Sequence, residues 1–171
     1  MRFVPPCQPR LRSYPPHGPQ WLHEVKFDGY RVQLHKPVTI YSKKGVDFTR
    51  RFLGVAMAID QLRCSSCIID GELVAPDKQG RPDFAALHQR RSNEFIVWCF
   101  DLIELNGEDL RAMQLVDRKA KLQQLIKGSE LLRYSDVFDN PDLLLDVVAE
   151  HGLEGIVSKR VNFPYRPGKC D

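Results

Sequence analysis

The stretch from Trp21 to Arg31 combines an alternating strand pattern with a cluster of charges. Its first half follows the period of two that is typical of a β-strand, and this period places Glu24, Lys26 and Asp28 on one face. Gly29 follows Asp28, and an Asp-Gly pair between alternating hydrophobic segments is a strong signal for a hairpin turn. The stretch therefore predicts two short strands joined by a tight turn, with a lysine held between two carboxylates.

Two interpretations of Lys26 follow from this pattern. In the first, Lys26 belongs to the charged, solvent-exposed face of the hairpin. In the second, Lys26 is a nucleophile in a pocket that also contains Arg31. An amine attacks phosphorus only when it is unprotonated. A nucleophilic lysine with an ordinary pKa of about 10.4 must therefore lose its proton to a neighbour, or have its pKa lowered by burial and nearby cations.

The composition predicts one domain of ordinary size with a substantial core. The 171 residues are 43% hydrophobic and carry a formal net charge of +3. The sequence pI near 8.6 permits contact with a polyanion but does not require it. No apolar run approaches the roughly 20 residues that span a bilayer. The odd number of cysteines, five, and the absence of a signal peptide predict reduced thiols in the cytosol.

Residues 1–20 hold six of the twelve prolines, which excludes a helix or a central strand there. We expect these residues to form an extended arm over the surface. Beyond the arm, β-branched and aromatic runs predict strands, and amphipathic runs predict helices. The predicted strands are 21–27, 30–35, 38–42, 67–75, 95–100, 131–135 and 154–160, and the predicted helices are 50–63, 84–91, 115–127 and 141–150.

Two carboxylates interrupt the apolar strand 67–75. Asp70 and Glu72 flank Gly71, and buried carboxylates are costly unless they are paired or bound to a metal. A glycine inside a strand often marks a bulge or the close approach of another group. Glu72 is therefore predicted to belong to a site. The aromatic residues of the run 95–100 are mostly predicted to be core, and the basic run 89–92 is predicted to be a solvated helix end.

Four segments of the chain resemble, in the same order, the motifs of one family. Residues 26–31 resemble the motif Lys-x-Asp-Gly-x-Arg of the covalent nucleotidyltransferases, which comprise ATP-dependent DNA ligases, RNA ligases and mRNA capping enzymes. The further matches are Asp-Gly-Glu-Leu-Val at 70–74, Phe-Asp-Leu-Ile at 100–103 and Glu-Gly-Ile-Val-Ser-Lys at 154–159. The likeness is greatest to the ligase domain of bacterial ligase D, the end-joining DNA ligase, which shares the stretches 15–19, 84–87 and 157–160.

This resemblance implies an α+β fold of the covalent nucleotidyltransferase, ATP-grasp-like ligase type. Two mainly antiparallel sheets flanked by helices would hold a nucleotide pocket between them. The implied division is a proline-rich arm, 1–20, and an adenylation domain, 21–171. In similar ligases a motif of tryptophan and paired lysines follows, and then an oligonucleotide-binding barrel domain. Neither is present in this sequence, so we expect a domain truncated before the last lysine motif, with slow self-adenylation and no complete nick sealing.

The resemblance implies the groups that hold the nucleoside. Lys26 is the implied nucleophile, which forms lysyl-AMP. Glu24 is expected beside the adenine amine. Phe100 is expected to stack on the purine, with Val157 against the opposite face of the base. Glu72 is expected to bind the ribose hydroxyls and to lie near the metal.

The resemblance also implies the groups that meet the phosphates. Arg31, Lys43 and Lys159 are the expected counter-charges, and Glu72 and Glu154 are the expected metal ligands. Lys43 departs from the family, in which this turn usually carries an arginine. Lysine supplies a point charge without the bidentate fork of a guanidinium group, so the contact there is expected to have a different geometry.

The implied function is that of an ATP-dependent DNA ligase in repair, recombination and non-homologous end joining. Lys26 would attack ATP, and AMP would pass to the 5′-phosphate of nicked or broken duplex DNA before the strand is joined. The expected cofactors are ATP and Mg²⁺ or Mn²⁺. The expected partners are duplex DNA, the end-binding protein Ku and a C-terminal barrel domain or separate polypeptide, with no membrane. The expected location is the bacterial cytoplasm, at the nucleoid.

Two alternatives stay open at this level. A related RNA ligase or capping-type nucleotidyltransferase shares the Lys26 motif, and the preference for GTP or ATP and for RNA or DNA distinguishes it. A catalytically incomplete module that binds DNA or a partner is the second alternative. Lys43 and the missing motif favour this module, whereas the intact Lys26 and Glu154 oppose it.

Overall fold

The chain forms two main sheets, which are connected directly by the residues that follow Lys26. The computed structural model describes residues 2–78, 82–89 and 94–169. Within these residues the strands are β1 (Cys7–Gln8), β2 (Trp21–Lys26), β3 (Tyr30–Lys36), β4 (Thr39–Ser42), β5 (Cys67–Val74), β6 (Ile96–Leu105), β7 (Glu108–Asp109), β8 (Leu132–Tyr134), β9 (Gly155–Arg160) and β10 (Gly168–Lys169). The helices are α1 (Leu53–Asp60), α2 (Phe84–His88), α3 (Leu115–Leu125) and α4 (Pro141–Glu150), with a 3₁₀ helix at Thr49–Arg51.

The larger sheet has the strand order β4-β3-β5-β6-β7 with antiparallel neighbours, and β8 joins β6 in parallel. Residues two apart in a strand share a face, so the alternating apolar positions give this sheet one buried face. Val55 and Ile59 of α1 and Leu122 of α3 belong to the same core. The sheet residues in that core include Val32, Leu34, Ile69, Leu73, Val97, Cys99 and Leu102. The opposite face carries the buried polar residues Gln33, His35 and Asp70, and a second, smaller apolar cluster that contains Ile68 and Ile103.

The smaller sheet pairs β2 with β9 in antiparallel register, and α4 lies against both strands. The predicted bounds of α4 are confirmed. Asn140 caps the helix, because its side-chain oxygen accepts hydrogen bonds from the backbone N–H groups of Asp142 and Leu143 at 3.0 and 3.1 Å. Pro141 occupies the first helical turn, where its missing N–H costs nothing.

The predicted hairpin around Asp28 and Gly29 is wrong. β2 pairs with β9, and β3 pairs with β4 and β5, so the Asp-Gly pair joins two different sheets. Gly29 is required there by a close approach of the backbone. A Cβ at this position would lie 2.2 Å from the carbonyl oxygen of Leu73. The distant partner strand, with its buried side chains, outweighs the local turn signal.

The predicted helix 50–63 is divided. The 3₁₀ helix ends at Arg51, Phe52 adopts φ −129° and ψ 58°, and α1 begins at Leu53. The Phe52 ring packs edge-on against Phe95 with the ring centroids 4.9 Å apart, so burial of the ring fixes the break. In α2 the predicted cap is present, because the Asp83 carboxylate accepts a hydrogen bond from the Ala86 N–H group at 2.8 Å. Residues 90–92 of the predicted basic helix end lie outside the described residues.

The proline-rich arm lies along the larger sheet. Gln33 of β3 accepts from the Val4 N–H group at 2.9 Å and donates to the Val4 carbonyl at 2.8 Å. β1 pairs in parallel with β10, which joins the arm to a segment about 160 residues away. Cys7 in β1 is disulfide-bonded, so the expectation of reduced thiols is wrong for Cys7. None of the helices that the structure describes is long and apolar enough to cross a membrane.

Candidate active site

Lys26 lies where the two sheets meet. It is the last residue of β2 and is directly opposite Gly155, the first residue of β9. Its ammonium group forms an ion pair with Glu154, and both side chains are about two-fifths exposed, at 41% and 43%. A Cβ at Gly155 would meet no atom within 4 Å, so the space beside Lys26 is open. Lys26 is therefore an accessible amine next to a carboxylate.

One face of the β2–β9 sheet carries four of the candidate residues. The register pairs Glu24 with Val157 and Leu22 with Lys159, so Lys159, Val157, Glu24 and Lys26 share a face. Glu154 and Lys159 are five residues apart, so strict strand alternation would place them on opposite faces. They reach the same region in another way, because Glu154 precedes the strand and bends back to Lys26.

Glu24 is buried between two lysines. Lys119 Nζ of α3 lies 2.8 Å from Glu24 Oε1, and Lys159 Nζ lies 2.9 Å from Oε2. Ser135 donates a third contact to Oε2 at 3.1 Å. Burial disfavours the ionised carboxylate, but the two ammonium groups outweigh it and hold the pKa of Glu24 below its usual value. The carboxylate is thus ionised and shared.

Lys119 and Ser135 are site residues that the sequence analysis missed. A lysine in an amphipathic helix is normally solvated, but Lys119 is only 2% exposed. Lys119 lies four residues after Leu115 and three before Leu122, both of which are buried. A helical residue at that spacing belongs to the buried stripe, so this position was the available signal.

Phe100 lies on the site face of β6 and not in the apolar core. Val97 and Cys99 belong to the apolar core and Phe95 packs against it, whereas Trp98 and Phe100 are half-buried and outside it. The prediction that most aromatic residues of this run are core is therefore wrong. The guanidinium carbon of Arg31 lies 4.4 Å from the centroid of its ring, and Lys159 Nζ lies 4.5 Å from it. The ring is therefore a flat surface in contact with two cations of the site.

Arg31 is held by the buried carboxylate of Asp70. Arg31 Nε and Nη2 donate to the two carboxylate oxygens of Asp70 at 2.6 and 2.7 Å, and the Tyr165 hydroxyl donates to Asp70 Oδ2 at 2.7 Å. Burial and the Asp70 charge raise the pKa of Tyr165, so the phenol remains a donor. Arg31 is thus fixed in place against Phe100.

Glu72 is opposite Arg31 in the register of β3 and β5. Burial raises its pKa to about 7, and the positive charges of Arg31 and Lys26 only partly offset that effect. Glu72 is also opposite Trp98 of β6. The Trp98 ring stacks on Phe27 with 4.4 Å between centroids and 4° between planes, which links the two sheets beside the site.

The structure brings most of the predicted residues into one region. Contacts, strand register or charge interactions connect Glu24, Lys26, Arg31, Glu72, Phe100, Glu154, Val157 and Lys159. Lys43 is separate: it is exposed in the turn after β4, and no described hydrogen bond or ion pair joins it to the others. The predicted contact of Lys43 with a nucleotide or DNA phosphate stays a prediction.

The two predicted metal ligands, Glu72 and Glu154, fit one mode of magnesium binding. Among the described residues no group of three or more His, Cys, Asp or Glu side chains is arranged to hold a metal by itself. Magnesium is often bound by one or two carboxylates together with substrate phosphates, and it prefers oxygen ligands. The positive charges near Glu72 offset the effect of its burial only in part, so a bound cation would favour its ionised form. The donors therefore suit an ion shared with a nucleotide.

Comparison with known proteins places this fold among ligases. The model of the ATP dependent DNA ligase domain family matches residues 12–171. The multifunctional non-homologous end joining protein LigD of Pseudomonas aeruginosa is 35% identical over 174 residues, which cover 96% of this chain and 21% of that protein. The crystal structure of the ligase domain from Mycobacterium tuberculosis LigD superposes with a TM-score of 0.83 at 26% identity, over 97% of this chain and 57% of that one.

A structure of mycobacterial DNA ligase D complexed with ATP and MES gives a TM-score of 0.81 at 27% identity, with the same coverage of 97% and 57%. The predicted α+β ligase fold is confirmed by these superpositions. The chain belongs to the ATP-dependent DNA ligase domain family. It spans about a fifth of the Pseudomonas protein and somewhat more than half of each solved chain.

Proposed function

We propose that this chain is the adenylation domain of an ATP-dependent DNA ligase, with Lys26 as the nucleophile. One observation carries the proposal. The accessible amine of Lys26 lies at the junction of the two sheets, in contact with Glu154 and beside open space at Gly155. The related mycobacterial ligase D was solved in complex with ATP, so ATP is the nucleotide that we assign to this site.

In the proposed reaction a bond forms between Lys26 Nζ and the α-phosphorus of ATP. The bond from that phosphorus to the bridging oxygen breaks, and pyrophosphate leaves with the electron pair. Nζ loses two protons to solvent, which reaches 41% of the Lys26 side chain. One leaves before the attack, because only the neutral amine is nucleophilic, and the other leaves after the bond to phosphorus has formed. The product is a lysyl-AMP phosphoramidate. Charge on the phosphoryl oxygens increases during the step, so fixed cations near the α-phosphate accelerate it.

Two cations of the site are assigned to the phosphates. Lys159 has a flexible side chain, 23% of which is exposed. Arg31 uses Nε and Nη2 on Asp70 in the described contacts, which leaves Nη1 for a phosphate oxygen. Glu72 and Glu154 would hold a magnesium ion, which would supply positive charge to the phosphates when bound. We assign the adenine ring to the space between Phe100 and Val157, with its amine toward Glu24.

The names of the relatives support the proposed DNA substrate, and the family resemblance supports the proposed partners. We propose that AMP passes from Lys26 to the 5′-phosphate at a break in duplex DNA, and that the 3′-hydroxyl then displaces AMP and joins the strand. The Pseudomonas relative is an end joining protein, so we place this activity in DNA end joining in the bacterial cytoplasm. Ku and an oligonucleotide-binding barrel domain are the partners that we assign to it.

Intact mass spectrometry tests the proposal directly. The 171-residue chain is incubated with ATP and Mg²⁺, and a mass gain of one adenylyl group is expected, which proteolysis should locate at Lys26. GTP should give no mass gain, since ATP is the assigned nucleotide. This control separates a ligase from a capping enzyme. The isolated adenylated chain is then mixed with nicked DNA or nicked RNA, and AMP transfer to the DNA is expected. A label on another residue, or a label from GTP alone, would contradict the assignment.

A further inference from the structure

Lys119 is the charged residue of the site for which the proposed reaction gives no role. Its side chain is 2% exposed, and its ammonium group contacts Glu24 Oε1 at 2.8 Å and the Ser135 carbonyl at 3.0 Å. Lys159 contacts the other oxygen of the same carboxylate at 2.9 Å. Two positive charges therefore share one negative charge in a buried environment. We call this cluster, which consists of Glu24, Lys119 and Lys159, the shared carboxylate.

Lys159 occupies the region that the nucleotide is assigned to. Its Nζ lies 4.5 Å from the centroid of the Phe100 ring, and its side chain projects from the same face of β9 as Val157. The phosphates of a nucleotide whose base stacks on Phe100 would be a new partner for the charge of Lys159. We therefore expect Lys159 to leave Glu24 when a ligand that carries phosphates binds.

The departure of Lys159 changes the state of Glu24. An ion pair that loses one buried partner leaves an uncompensated charge, which is strongly unfavourable. Here Glu24 retains the contact with Lys119 and the hydrogen bond from Ser135. The pair that stays behind is neutral and still has hydrogen-bond partners. Lys119 thus lowers the free-energy cost of moving Lys159 away from Glu24.

We propose that Lys119 is a positioning residue that keeps Glu24 neutralised, so that Lys159 can transfer from Glu24 to the nucleotide phosphates. This inference rests on the proposed function, because it needs a nucleotide at Phe100. Lys119 also ties α3 to the β8 region, since its ammonium group lies 4.4 Å from the centroid of the Tyr134 ring. A loss of stability in a Lys119 variant is therefore expected in any case, and the test must measure something else.

The test compares the affinities of two ligands in each variant. Isothermal titration calorimetry measures adenosine, which reports the base site, and α,β-methylene-ATP with Mg²⁺, which adds the phosphates and cannot be cleaved by the lysine. In Lys119→Met, Lys159 is the remaining cation for Glu24 and stays bound to it. The affinity for α,β-methylene-ATP divided by the affinity for adenosine is the measured ratio. It should fall roughly tenfold or more, because phosphate binding now leaves the buried charge of Glu24 without a cation. Adenosine affinity should change little.

Three further variants complete the test. The double variant Lys119→Met with Glu24→Gln removes the charge that retains Lys159, so the ratio should return toward the wild-type value. Glu24→Gln alone should raise the ratio, and it does not depend on whether Lys119→Met folds. Lys127→Met is the matched control, because Lys127 is an exposed lysine just after α3, and its ratio should be unchanged. Thermal unfolding confirms that each variant is folded during the titration.

The outcomes separate this inference from the proposed function. If the wild-type chain forms lysyl-AMP but Lys119→Met keeps the wild-type ratio, Lys119 is only structural and the inference is overturned. A ratio that falls in Lys119→Met and is not restored by Glu24→Gln overturns it as well, because the effect would not pass through Glu24. The inference is also overturned if the ratio falls in the single variant Glu24→Gln. If the wild-type chain binds neither ligand, the proposed function and this inference both fail.

Discussion

Two buried ion pairs in this domain are built in different ways. Arg118 of α3 donates from Nε and Nη2 to the two oxygens of Asp101 at 2.8 and 2.9 Å. Its Nη1 donates to the carbonyls of Met113 and Phe163 at 2.6 and 3.0 Å. The side chains are 3% and 8% exposed. This pair is a two-pronged clamp that satisfies both partners and joins three segments of the chain.

The next residue of the same helix, Lys119, belongs to the shared carboxylate. Lysine offers a point charge without the planar fork of arginine, and one carboxylate serves two ammonium groups. One of the two, Lys159, reaches the open part of the site, where its side chain is 23% exposed. The comparison suggests a division of roles that the predictions below test: a matched arginine pair would hold the fold, whereas a carboxylate shared by two lysines could release one of them.

The largest effect is expected at the proposed nucleophile, Lys26, which belongs neither to the arginine clamp nor to the shared carboxylate. Lys26→Arg keeps a positive charge beside Glu154 but removes the nucleophilic amine, so lysyl-AMP formation should fall by at least about 1000-fold. The ion pair of Lys26 is about two-fifths exposed to solvent, and its loss should cost no more than about 1 kcal/mol of unfolding free energy. Intact mass spectrometry after incubation with ATP and urea unfolding measure the two effects. Persistent labelling of this variant would identify a different nucleophile.

A large effect on stability is expected at the arginine clamp. Arg118→Met leaves the buried Asp101 without its cation and should lower the free energy of unfolding by about 3–5 kcal/mol. The chain provides a matched control in Arg111, which makes a similar two-oxygen contact with Asp109 at 2.6 to 3.1 Å but is 42% exposed. Arg111→Met should cost at most about 1 kcal/mol.

Urea unfolding of the two arginine variants breaks or sharpens the comparison. If Arg118→Met and Arg111→Met lose equal stability, burial does not decide the value of such a pair, and the distinction between a clamp and a surface pair fails. If Lys119→Met loses as much stability as Arg118→Met, the shared carboxylate is also a structural clamp.

The sequence contained the signals for the parts of this domain that depend on local chemistry. Asn140 and Pro141 define the beginning of α4 because a cap and a first-turn proline act on their own helix. Alternation indicated the strands for the same reason. Lys26 and Glu72 were predicted to be site residues, because charges in strand patterns and family motifs are visible in sequence, and the fold brings them close enough to interact.

The parts that were missed depend on distant partners. The Asp28–Gly29 turn signal predicted a hairpin, but β2 takes its partner β9 from a segment about 130 residues further on. No local pattern encodes that pairing. Lys119 is an ordinary helical lysine until the fold places it against Glu24, which lies on β2 about 95 residues earlier in the chain. The break at Phe52 likewise depends on the ring of Phe95.

A smaller effect on stability, which depends on pH, is expected at a buried histidine whose hydrogen-bond partner is uncharged. His35 is 2% exposed, and its Nε2 lies 3.0 Å from Gln33 Oε1, an acceptor to which the ring donates. Burial lowers the pKa of His35 from 6.5 to about 4. The unfolded chain binds the proton first as the pH falls, so stability is complete above pH 6.5 and is lost between pH 6.5 and 4.

The His35 contribution should amount to about 2–3 kcal/mol across that interval. His35→Gln keeps a donor toward Gln33 and cannot be protonated, so the unfolding free energy should depend less on pH in this range. Urea unfolding at a series of pH values measures the difference between the variant and the wild type. The exposed His151 is the control, and His151→Gln should leave the profile unchanged. Identical profiles for wild type and His35→Gln would show that the ring is not held neutral.

The smallest expected effect concerns Phe100, which contacts the movable cation of the shared carboxylate. Phe100→Leu removes the flat ring that faces Arg31 and Lys159, and loss of a stacking partner costs about 1–3 kcal/mol for each base. Adenosine affinity, measured by calorimetric titration, should therefore fall roughly tenfold. The ring is half-buried and outside the apolar core, so the unfolding free energy should change by only about 1 kcal/mol.

Phe138→Leu is the control for this substitution, because Phe138 is 41% exposed and none of its described contacts reaches the site residues. It should leave adenosine affinity unchanged. If Phe100→Leu instead loses several kcal/mol of stability and keeps its affinity for adenosine, Phe100 is a core residue. The base would then have to bind elsewhere. Lys159 would have no reason to leave Glu24, and the distinction between the arginine clamp and the shared carboxylate would have no consequence for the chemistry.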